Sequence, residues 1–352
     1  MESNAFIVRA DDPILVTGAG GFIGPVLVDR LLHRGFRNIR AFVRPSSDLT
    51  RLQSVSSNYG GGALVEVIRG NLLSREDCMA AAKDAAVIFH LANSADKSFA
   101  NAFMNSVVTT RNLLEASLKH RGLRRFVNVS SFAVYTNTQK SRGRLLDESS
   151  PLEEQAGQRR DAYCHAKVKQ DELVIDYSKR FGIPFVIVRP GSVYGPGKAA
   201  ITGRVGIDTF GLFLHLGGSN HIPLTYVDNC ADAIVLAGVT PGVDGEVFNI
   251  VDDNLPTSRQ FLRLYKRNVR WFKSVYIPHF VSYGICSLWE RYSKWSEGQL
   301  PPAFTRTRWH AEWKKTRYSN EKLKKSVGWV PAVSMAEGLM RYFESCKEEQ
   351  RA

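Results

Sequence analysis

Short apolar runs alternate with amphipathic stretches through the first two thirds of the chain. The apolar runs have the length of buried strands, and they lie at residues 14–17, 39–43, 63–68, 85–89, 125–129 and 184–188. Helical spacing of apolar positions predicts helices at residues 22–33, 74–83, 100–120 and 161–181. Such regular alternation predicts an α/β fold in which helices cover both faces of a doubly wound parallel sheet.

After residue 190 glycines and prolines interrupt the pattern, and an irregular chain is expected before strands return. The predicted elements of this part are strands at 222–227 and 246–251, a helix at 231–237 between them, and a linker at 296–304. Thr257 and Gln260 have capping-box spacing at the start of a further helix, which we expect to run to about residue 270.

The change of pattern at residue 190 predicts two domains. Residues 1–190 would form the sheet domain, which includes a polar loop at 136–160. Residues 191–352 would form a smaller C-terminal domain. Because the segment 222–251 again has strand and helix character, we expect it to pack back on the sheet domain.

The composition is that of an ordinary folded protein. The chain has 352 residues, of which 44% are hydrophobic and 23% are charged. Residues 1–12 contain no apolar segment of the kind found in signal peptides. The five cysteines form no Cys-x-x-Cys pair and are odd in number. We therefore expect a reducing, cytoplasmic setting and no metal site.

The net charge of +13 is concentrated near the C-terminus. Between Arg259 and Lys325 there are sixteen Lys or Arg against four Glu, and all six tryptophans lie after residue 270. Such a surface can bind an anionic substrate or an acidic membrane, or it can be a solvated face without a partner. The apolar stretch 275–289 is too short to cross a membrane, which leaves peripheral membrane contact open. The basic residues are scattered and no reader motif accompanies them, so we predict no nucleic-acid binding.

A glycine-rich turn follows the first predicted strand and precedes the first predicted helix. Gly18, Gly21 and Gly24 recur in it at three-residue spacing. Glycines at such a turn let the backbone approach a phosphate, which then sits at the N-terminus of the helix. Because strand, turn and helix occur in this order, we predict that residues 1–190 form a Rossmann domain that binds NAD or NADP. A purely structural turn is the alternative.

The choice between the two dinucleotides is argued from the end of the second predicted strand. NAD-selective sites place an acidic residue there, which binds the ribose diol. This chain has Arg44 at that position and no acidic residue before Asp48. Since a guanidinium suits a 2′-phosphate by its fork geometry, we favour NADP over NAD. The alternative is an exposed arginine that contacts nothing.

Tyr163 and Lys167 are four residues apart in a predicted helix, so they lie on one face of it. A free tyrosine has a pKa near about 10 and is a poor base at neutral pH. We expect the neighbouring ammonium to favour the phenolate and to lower this pKa, so that the pair can transfer protons. The alternative is an exposed helix face on which this spacing arises by chance.

Two further polar residues are candidates for the same site. Ser131 follows a predicted strand, and its hydroxyl would face the crevice in which open α/β sheets bind ligands. Ser130 is assigned to the turn, although the two serines could exchange these positions. Asn105 lies in the long helix predicted at 100–120, where asparagine is disfavoured, and its alternative is a solvent-facing position.

Taken together, these segments resemble the extended short-chain dehydrogenase/reductase family, which includes NAD-dependent epimerases and dehydratases and 3β-hydroxysteroid dehydrogenase-like enzymes. The similarity is carried by segments at 17–24, 89–92, 105–114, 129–135, 147–151, 189–197, 226–229 and 323–331. Beside the loop glycines and Arg44, the cofactor contacts that the resemblance implies are Phe22, Ile23, Asn71, Leu72, Leu91, Ala92, Tyr163, Lys167 and Pro190.

The resemblance also implies a mechanism and an assembly. Tyr163 would act as acid or base, Lys167 would bind the nicotinamide ribose, and Ser131 would hold the substrate oxygen. Asn105 would help to organise a proton relay. Hydride would pass between the nicotinamide and a carbinol or keto carbon. The family further implies homodimers formed through the two long predicted helices that carry Asn105 and Tyr163.

Two departures from the family pattern bear on the ligands. Asn71 stands where many members have aspartate near the adenine, and Gly191 or Ser192 stands where nucleotide-sugar epimerases usually carry asparagine. The run at 189–197, the stretch 278–289 and the tail resemble the 3β-hydroxysteroid dehydrogenase branch of the family. This resemblance implies an NAD(P)-dependent oxidoreductase that acts on an apolar or amphiphilic substrate held by residues 191–352. The alternative is a nucleotide-sugar epimerase or dehydratase that retains NAD. A non-catalytic binding protein with this fold is a third hypothesis.

Overall fold

The computed structural model describes most of the chain. The described residues are 6–59, 64–93, 96, 98–120, 122–136, 138, 143–154, 161–198, 201–209, 211–296 and 304–351. Most of the linker predicted at 296–304 and part of the loop predicted at 136–160 therefore lie outside the described residues.

The chain folds into strands and helices, which alternate along its first half. In chain order the strands are β1 (Ile14–Thr17), β2 (Asn38–Val43), β3 (Leu64–Arg69), β4 (Val87–His90), β5 (Arg125–Val129), β6 (Leu145–Leu146), β7 (Phe185–Pro190), β8 (Ser192–Tyr194), β9 (Gly206–Thr209), β10 (Leu212–His215), β11 (Leu224–Tyr226), β12 (Val247–Ile250), β13 (Ser274–Tyr276) and β14 (Arg317–Tyr318). The helices are α1 (Gly24–His33), α2 (Thr50–Ser57), α3 (Arg75–Ala82), α4 (Phe99–Phe103), α5 (Thr109–Lys119), α6 (Ala162–Phe181), α7 (Val227–Val239), α8 (Ser258–Asn268), α9 (His279–Trp295), α10 (Arg306–Glu312), α11 (Glu321–Val327) and α12 (Met335–Arg351).

The main sheet has seven parallel strands in the order β3-β2-β1-β4-β5-β7-β12. Alternate residues of β1 pack into different hydrophobic clusters, Ile14 and Val16 into one and Leu15 into the other, because both faces of the sheet are covered. The predicted fold class is therefore confirmed. The strand order reverses between β1 and β4, and the carboxyl ends of strands at such a point form the ligand-binding crevice of open sheets.

The last strand of the main sheet comes from the C-terminal part of the chain. β12 pairs with β7, with Val247 beside Ile187. The preceding helix, α7, is joined to α1 by ion pairs, one of which connects Arg34 and Asp232 at 2.5 Å. The segment that contains α7 and β12 thus packs on the sheet, and the division of the chain into two domains stays a prediction.

The structure corrects the helix predicted at 100–120. A π-helical turn at Met104–Val108 separates α4 from α5. The hydroxyls of Thr109 and Thr110 both donate to the carbonyl oxygen of Ser106, at 2.9 and 2.6 Å. Hydroxyls that bond to carbonyls of the preceding turn compete with regular helical hydrogen bonds, which accounts for the local change of pitch.

The part expected to be irregular after residue 190 contains regular structure. β9 and β10 form an antiparallel pair, and β13 joins β10 to complete a three-stranded sheet. Frequent glycines hide these strands in the sequence, since they interrupt the alternation that marks a strand. The capping box of Thr257 and Gln260 is confirmed at the start of α8, which ends at Asn268.

Aromatic side chains form much of the core of the C-terminal part. One cluster includes Tyr194, Phe213, Tyr226, Phe261, Tyr265, Tyr342 and Phe343. A second cluster contains Trp309 and Trp313 beside Cys286. Trp329 is fully buried in the main core, where its indole donates to Asn229 O at 3.2 Å. Within the described ranges, no helix has both the length and the apolarity that crossing a membrane requires.

A buried carboxylate joins helix α6 to the sheet. Asp171 accepts hydrogen bonds from Asn128 Nδ2 at 2.9 Å and from Ser130 Oγ at 3.0 Å. It also accepts from Nε and Nη2 of Arg189 at 3.2 and 3.1 Å. Arg189 in turn donates to the hydroxyl of Tyr135 at 3.0 Å. Because these partners lie on or next to β5 and β7, Asp171 holds α6 in register with both strands.

Replacing Arg189 tests this buried charge pair. The substitution Arg189→Met would leave the Asp171 carboxylate buried without its cation, so we expect the free energy of unfolding to fall by about 3–5 kcal/mol. Urea denaturation of the purified variant measures the loss. The double variant Arg189→Met/Asp171→Leu should recover part of it, because both charges are then removed.

The matched control is Arg180→Met, which breaks a surface pair with Asp176 whose side chains are 61% and 51% exposed. This change should alter stability little. Equal losses for Arg189→Met and Arg180→Met would show that Asp171 does not depend on its buried partner.

Candidate active site

A cavity of about 860 Å³ opens at the carboxyl ends of the parallel strands. Its wall contains most of the residues that the sequence singled out, namely Gly18, Gly21, Phe22, Ile23, Gly24, Arg44, Asn71, Leu72, Leu91, Ala92, Asn105, Ser131, Tyr163 and Pro190. Lys167 differs, because its side chain is 1% exposed and lies beneath this wall. The structure thus brings the candidate residues to one place, and what each of them does stays a prediction.

The glycine turn forms a cradle that side chains would fill. Gly18 has a φ of +73°, and a Cβ atom there would lie 2.9 Å from the backbone nitrogen of Ala92. A Cβ atom at Gly24 would overlap the carbonyl oxygens of Gly18 and Ala19. The turn can therefore pass close to the end of β4 and enter α1 only with glycine at both positions. The N-terminus of α1 points its helix dipole at this cradle, which suits a diphosphate.

The other end of the cavity is lined by a cation. Arg44, at the end of β2, is exposed on the cavity wall. The carboxylate of Asp48 accepts hydrogen bonds from the backbone and hydroxyl of Thr50, at 2.9 and 2.7 Å, at the start of α2. Asn71 accepts from Leu73 N at 3.0 Å and so shapes its own turn. Among the described residues that line this end of the cavity, Arg44 is the charged one.

Ser131 and Tyr163 meet at the cavity wall. The residue Tyr163 lies in the first turn of α6, which begins where Asp161 accepts a hydrogen bond from Cys164 N at 3.0 Å. Both side chains line the cavity, and the Ser131 hydroxyl is near enough to Tyr163 to favour its phenolate form. Burial raises the pKa of Tyr163, and Ser131 opposes that rise. Ser130 differs from Ser131, because its hydroxyl is bound to Asp171.

The contacts of Lys167 differ from those expected from the sequence. Its ammonium donates to Val129 O at 2.7 Å and to Gln170 Oε1 at 2.8 Å. Burial lowers the pKa of Lys167 to about 8, an effect that the charge of Asp171 opposes. The ammonium is thus hydrogen-bonded to β5 and to its own helix. We expected Lys167 to lower the pKa of Tyr163, but burial raises this pKa.

Asn105 lies in the π-helical turn and lines the cavity. Its side chain is half-buried and donates to Asn101 O at 3.0 Å. Within the described residues no hydrogen bond joins Asn105 to Lys167. Its place in a proton relay therefore stays a prediction. The π-helical turn itself is a feature that often marks functional sites.

A buried polar chain that the sequence analysis missed runs behind the site. Gln170 Nε2 donates to Thr110 Oγ1 at 2.7 Å, and Thr110 lies 2.9 Å from His90 Nε2. His90 Nδ1 in turn lies 2.7 Å from Thr17 Oγ1. Because the Thr110 hydroxyl donates to a backbone carbonyl, it accepts from His90, which is satisfied as a neutral ring. The sequence feature that could have indicated this chain is the i, i+3 spacing of Lys167 and Gln170 on α6.

The sequence analysis also missed a lysine at the cavity. Lys198 lines the cavity, donates to Val193 O at 2.8 Å and lies 5.2 Å from the ring centre of Phe22. Burial of its amino group lowers its pKa. The sequence feature that could have indicated Lys198 is its position as a basic residue directly after the Gly-Pro-Gly turn. Across the described part of the chain, no group of three His, Cys, Asp or Glu side chains is placed to hold a metal ion.

Comparison with known proteins places these features in a family. The model of the family described as "NAD dependent epimerase/dehydratase family" matches residues 14–250. A trifunctional UDP-glucose 4,6-dehydratase/UDP-4-keto-6-deoxy-D-glucose 3,5-epimerase/UDP-4-keto-L-rhamnose-reductase of Arabidopsis thaliana is 26% identical over 67% of this chain. The match covers 36% of that relative, so this chain spans little more than a third of its length.

Two further similarities extend over nearly the whole chain. A 3beta-hydroxysteroid-dehydrogenase/decarboxylase, isoform 1, of Arabidopsis thaliana is 25% identical over 94% of this chain and 79% of the relative. The crystal structure of a UDP-glucuronic acid 4-epimerase from Bacillus cereus, in complex with UDP-glucuronic acid and NAD, superimposes with a TM-score of 0.70. It is 22% identical, with 96% of this chain and 99% of that chain covered, and at this identity it shows a shared fold.

The buried His90 should make stability depend on pH. Burial, together with the nearby Lys167, lowers the pKa of His90 to about 3, whereas the unfolded residue has its ordinary value of 6.5. Between these values the unfolded chain binds the extra proton, so the contribution to stability is complete above pH 6.5 and is lost as the pH falls. The loss from this residue should reach about 2 kcal/mol at about pH 5.

Urea denaturation at neutral pH and near pH 5 checks this dependence in His90→Asn. The variant should be less stable at neutral pH, because its contact with Thr110 is lost, but its stability should fall less on acidification. The control His33→Asn changes an exposed histidine of α1 and should follow the unmodified protein. If His90→Asn and the unmodified protein lost equal stability, His90 would not be the titrating group.

Proposed function

The chain belongs to the NAD dependent epimerase/dehydratase family and is an enzyme of the extended short-chain dehydrogenase/reductase type, and from this premise we propose that it transfers hydride between a nicotinamide and a carbinol or keto carbon. The placement of Ser131 and Tyr163 together carries the proposal, because both line the same cavity as the glycine cradle. Hydride transfer at a carbon–oxygen bond requires a proton at the oxygen, and this pair can supply or remove it.

Each residue of the site has a proposed task. Tyr163 gives a proton to the substrate oxygen or takes one from it, and Ser131 holds that oxygen by a hydrogen bond. A bound dinucleotide would supply the hydride donor or acceptor. The raised pKa keeps Tyr163 protonated at neutral pH, which suits proton donation to a keto oxygen. Lys167 lies one turn along α6 and would bind the ribose hydroxyls once a ligand draws its ammonium from Val129 O.

An apolar or amphiphilic substrate of the 3β-hydroxysteroid dehydrogenase kind is the leading proposal. The cavity wall continues from the Ser131–Tyr163 pair into the C-terminal part through apolar and aromatic side chains, namely Val193, Tyr194, Ile201, Leu224, Phe261 and Tyr342. Such a wall favours an apolar ligand, because it removes hydrocarbon surface from water. The similarity over 94% of the chain to a 3beta-hydroxysteroid-dehydrogenase/decarboxylase supports this choice.

A nucleotide-sugar epimerase or dehydratase that retains NAD is the second proposal. Lys198 favours it, because a cation at the cavity wall beside Phe22 and Val193 suits a diphosphate. The trifunctional UDP-glucose relative supports the same alternative. A thermal-shift comparison of UDP-glucose with a 3β-hydroxysteroid, each with NAD and NADP, separates the two classes of substrate.

We also propose the finer features of cofactor, assembly and location. NADP is favoured over NAD by Arg44. A homodimer through the helices around α5 and α6 is supported by exposed apolar side chains, of which Phe103, Met104 and Phe181 are 39%, 44% and 48% exposed. A cytoplasmic location is supported by the five cysteines, all of which are buried with free thiols.

Replacing the phenol tests the hydride-transfer proposal. Tyr163→Phe keeps the ring and removes the proton donor, so turnover of an active alcohol or ketone should fall about 10²- to 10⁴-fold. Cofactor affinity, measured by calorimetry, should change only a few-fold. The control Tyr292→Phe removes a hydroxyl from a tyrosine that is 48% exposed on α9 and should leave turnover unchanged. Full turnover by Tyr163→Phe would contradict the assignment.

Replacing Arg44 tests the choice of cofactor. Because Arg44 would pair with the 2′-phosphate alone, Arg44→Ala should weaken NADPH binding about tenfold or more and NADH binding little. Titration of each cofactor by calorimetry gives the two dissociation constants. The control is Arg75→Ala, which removes an equal charge from a side chain that is 72% exposed on α3 and should leave both dissociation constants unchanged. The proposal fails if Arg44→Ala weakens both cofactors equally or weakens neither.

A further inference from the structure

Helix α9 turns its apolar side outward. The side chains of Phe280, Leu288 and Trp295 are 80%, 66% and 78% exposed. The remaining exposed apolar side chains on the same side of the helix are Val281, Ile285 and Tyr292. At 100° per residue these six positions, which we call the α9 face, fall within one stripe along the helix, and Gly284 and Arg291 lie in the same stripe.

The inward side of α9 is the more polar one. Its buried residues are His279, Ser282, Cys286 and Ser293. The hydroxyl of Ser282 accepts a hydrogen bond from Trp309 Nε1 at 2.8 Å, which joins α9 to α10. A surface helix of a water-soluble domain normally buries its apolar stripe and exposes its polar one. The reversed arrangement of α9 therefore indicates that its outward side meets an apolar environment.

The charges on α9 itself bear on what that environment is. Between Arg259 and Trp295 the sequence has eight Lys or Arg and a single acidic residue, Glu290, and two of the basic residues, Arg291 and Lys294, lie on α9. Glu290 is neutralised, because it bonds the guanidinium and the backbone N–H of Arg306 at 2.7 and 2.6 Å. Arg291 lies within the apolar stripe, and Lys294 is exposed at its side. Basic residues that flank exposed Trp, Tyr, Phe and Leu are complementary to an anionic lipid surface.

We propose that the α9 face docks on an anionic membrane surface, with Phe280, Leu288 and Trp295 entering the boundary between headgroups and acyl chains. The helix axis would lie parallel to the membrane, and the basic residues would contact lipid phosphates. The proposal does not depend on the substrate, because it rests on exposure and charge outside the cavity.

Sedimentation with lipid vesicles tests the docking. The full-length protein should bind vesicles of phosphatidylcholine and phosphatidylglycerol at least about tenfold more tightly than vesicles of phosphatidylcholine alone, and added salt should weaken this binding. The variant Phe280→Gln/Leu288→Gln/Trp295→Gln should lose at least about tenfold in affinity. Quenching of tryptophan fluorescence by brominated acyl chains should decrease in Trp295→Phe, which keeps an apolar ring at this position.

The matched control is Val330→Gln/Met340→Gln, which changes two apolar side chains that are 68% and 56% exposed outside α9. It should bind vesicles like the unmodified protein. Circular dichroism and cofactor binding show whether each variant is folded. The proposal is overturned if the unmodified protein does not bind anionic vesicles, or if the triple and control variants bind equally well. A third outcome would also overturn it. If the unmodified protein is an oligomer that does not bind lipid, and sedimentation velocity shows that the triple variant is a monomer, the α9 face contacts a second copy.

Discussion

The buried carboxylate of Asp171 holds helix α6 against strands β5 and β7, and the geometry of the site depends on that hold. Tyr163, Lys167 and Asp171 recur at four-residue spacing, so they lie along one face of the helix. Ser130 donates to Asp171, and Ser131 follows it in the chain. The interaction that anchors the helix therefore also sets the distance between Ser131 and Tyr163. A shift of α6 by one turn would separate them.

Burial is the main influence on the ionisable groups behind the cavity. It raises the pKa of Tyr163, lowers that of Lys167 to about 8 and lowers that of His90 to about 3. Each shift favours the uncharged form, as expected where little water reaches. The ammonium of Lys167 is compensated by a backbone carbonyl and by Gln170. Proton transfer at Tyr163 will accordingly respond to whatever charge a ligand brings into the cavity.

Local spacing was enough to predict the sheet, the glycine turn and the pairing of Tyr163 with Lys167 on one helix face. The cavity wall contains the residues chosen from the resemblance other than Lys167, including Asn71 and Pro190, since they lie at or after strands whose carboxyl ends meet at one edge. Lys198 was missed, because its position depends on how a loop folds over Phe22. The sequence showed that the tryptophan-rich tail is basic and aromatic, but it did not show which tryptophans are buried.

The sequence by itself determined the seven strands of the main sheet and most of the helices that flank them, because periodicity and glycine placement act within a few residues. Tertiary structure alone decided what the side chains meet. It directs the ammonium of Lys167 to Val129 O, makes the turn around Asn105 π-helical, and turns the apolar stripe of α9 outward while burying Trp313. Spacing shows that an apolar stripe exists, but only packing against distant elements decides whether that stripe faces the core or the surroundings.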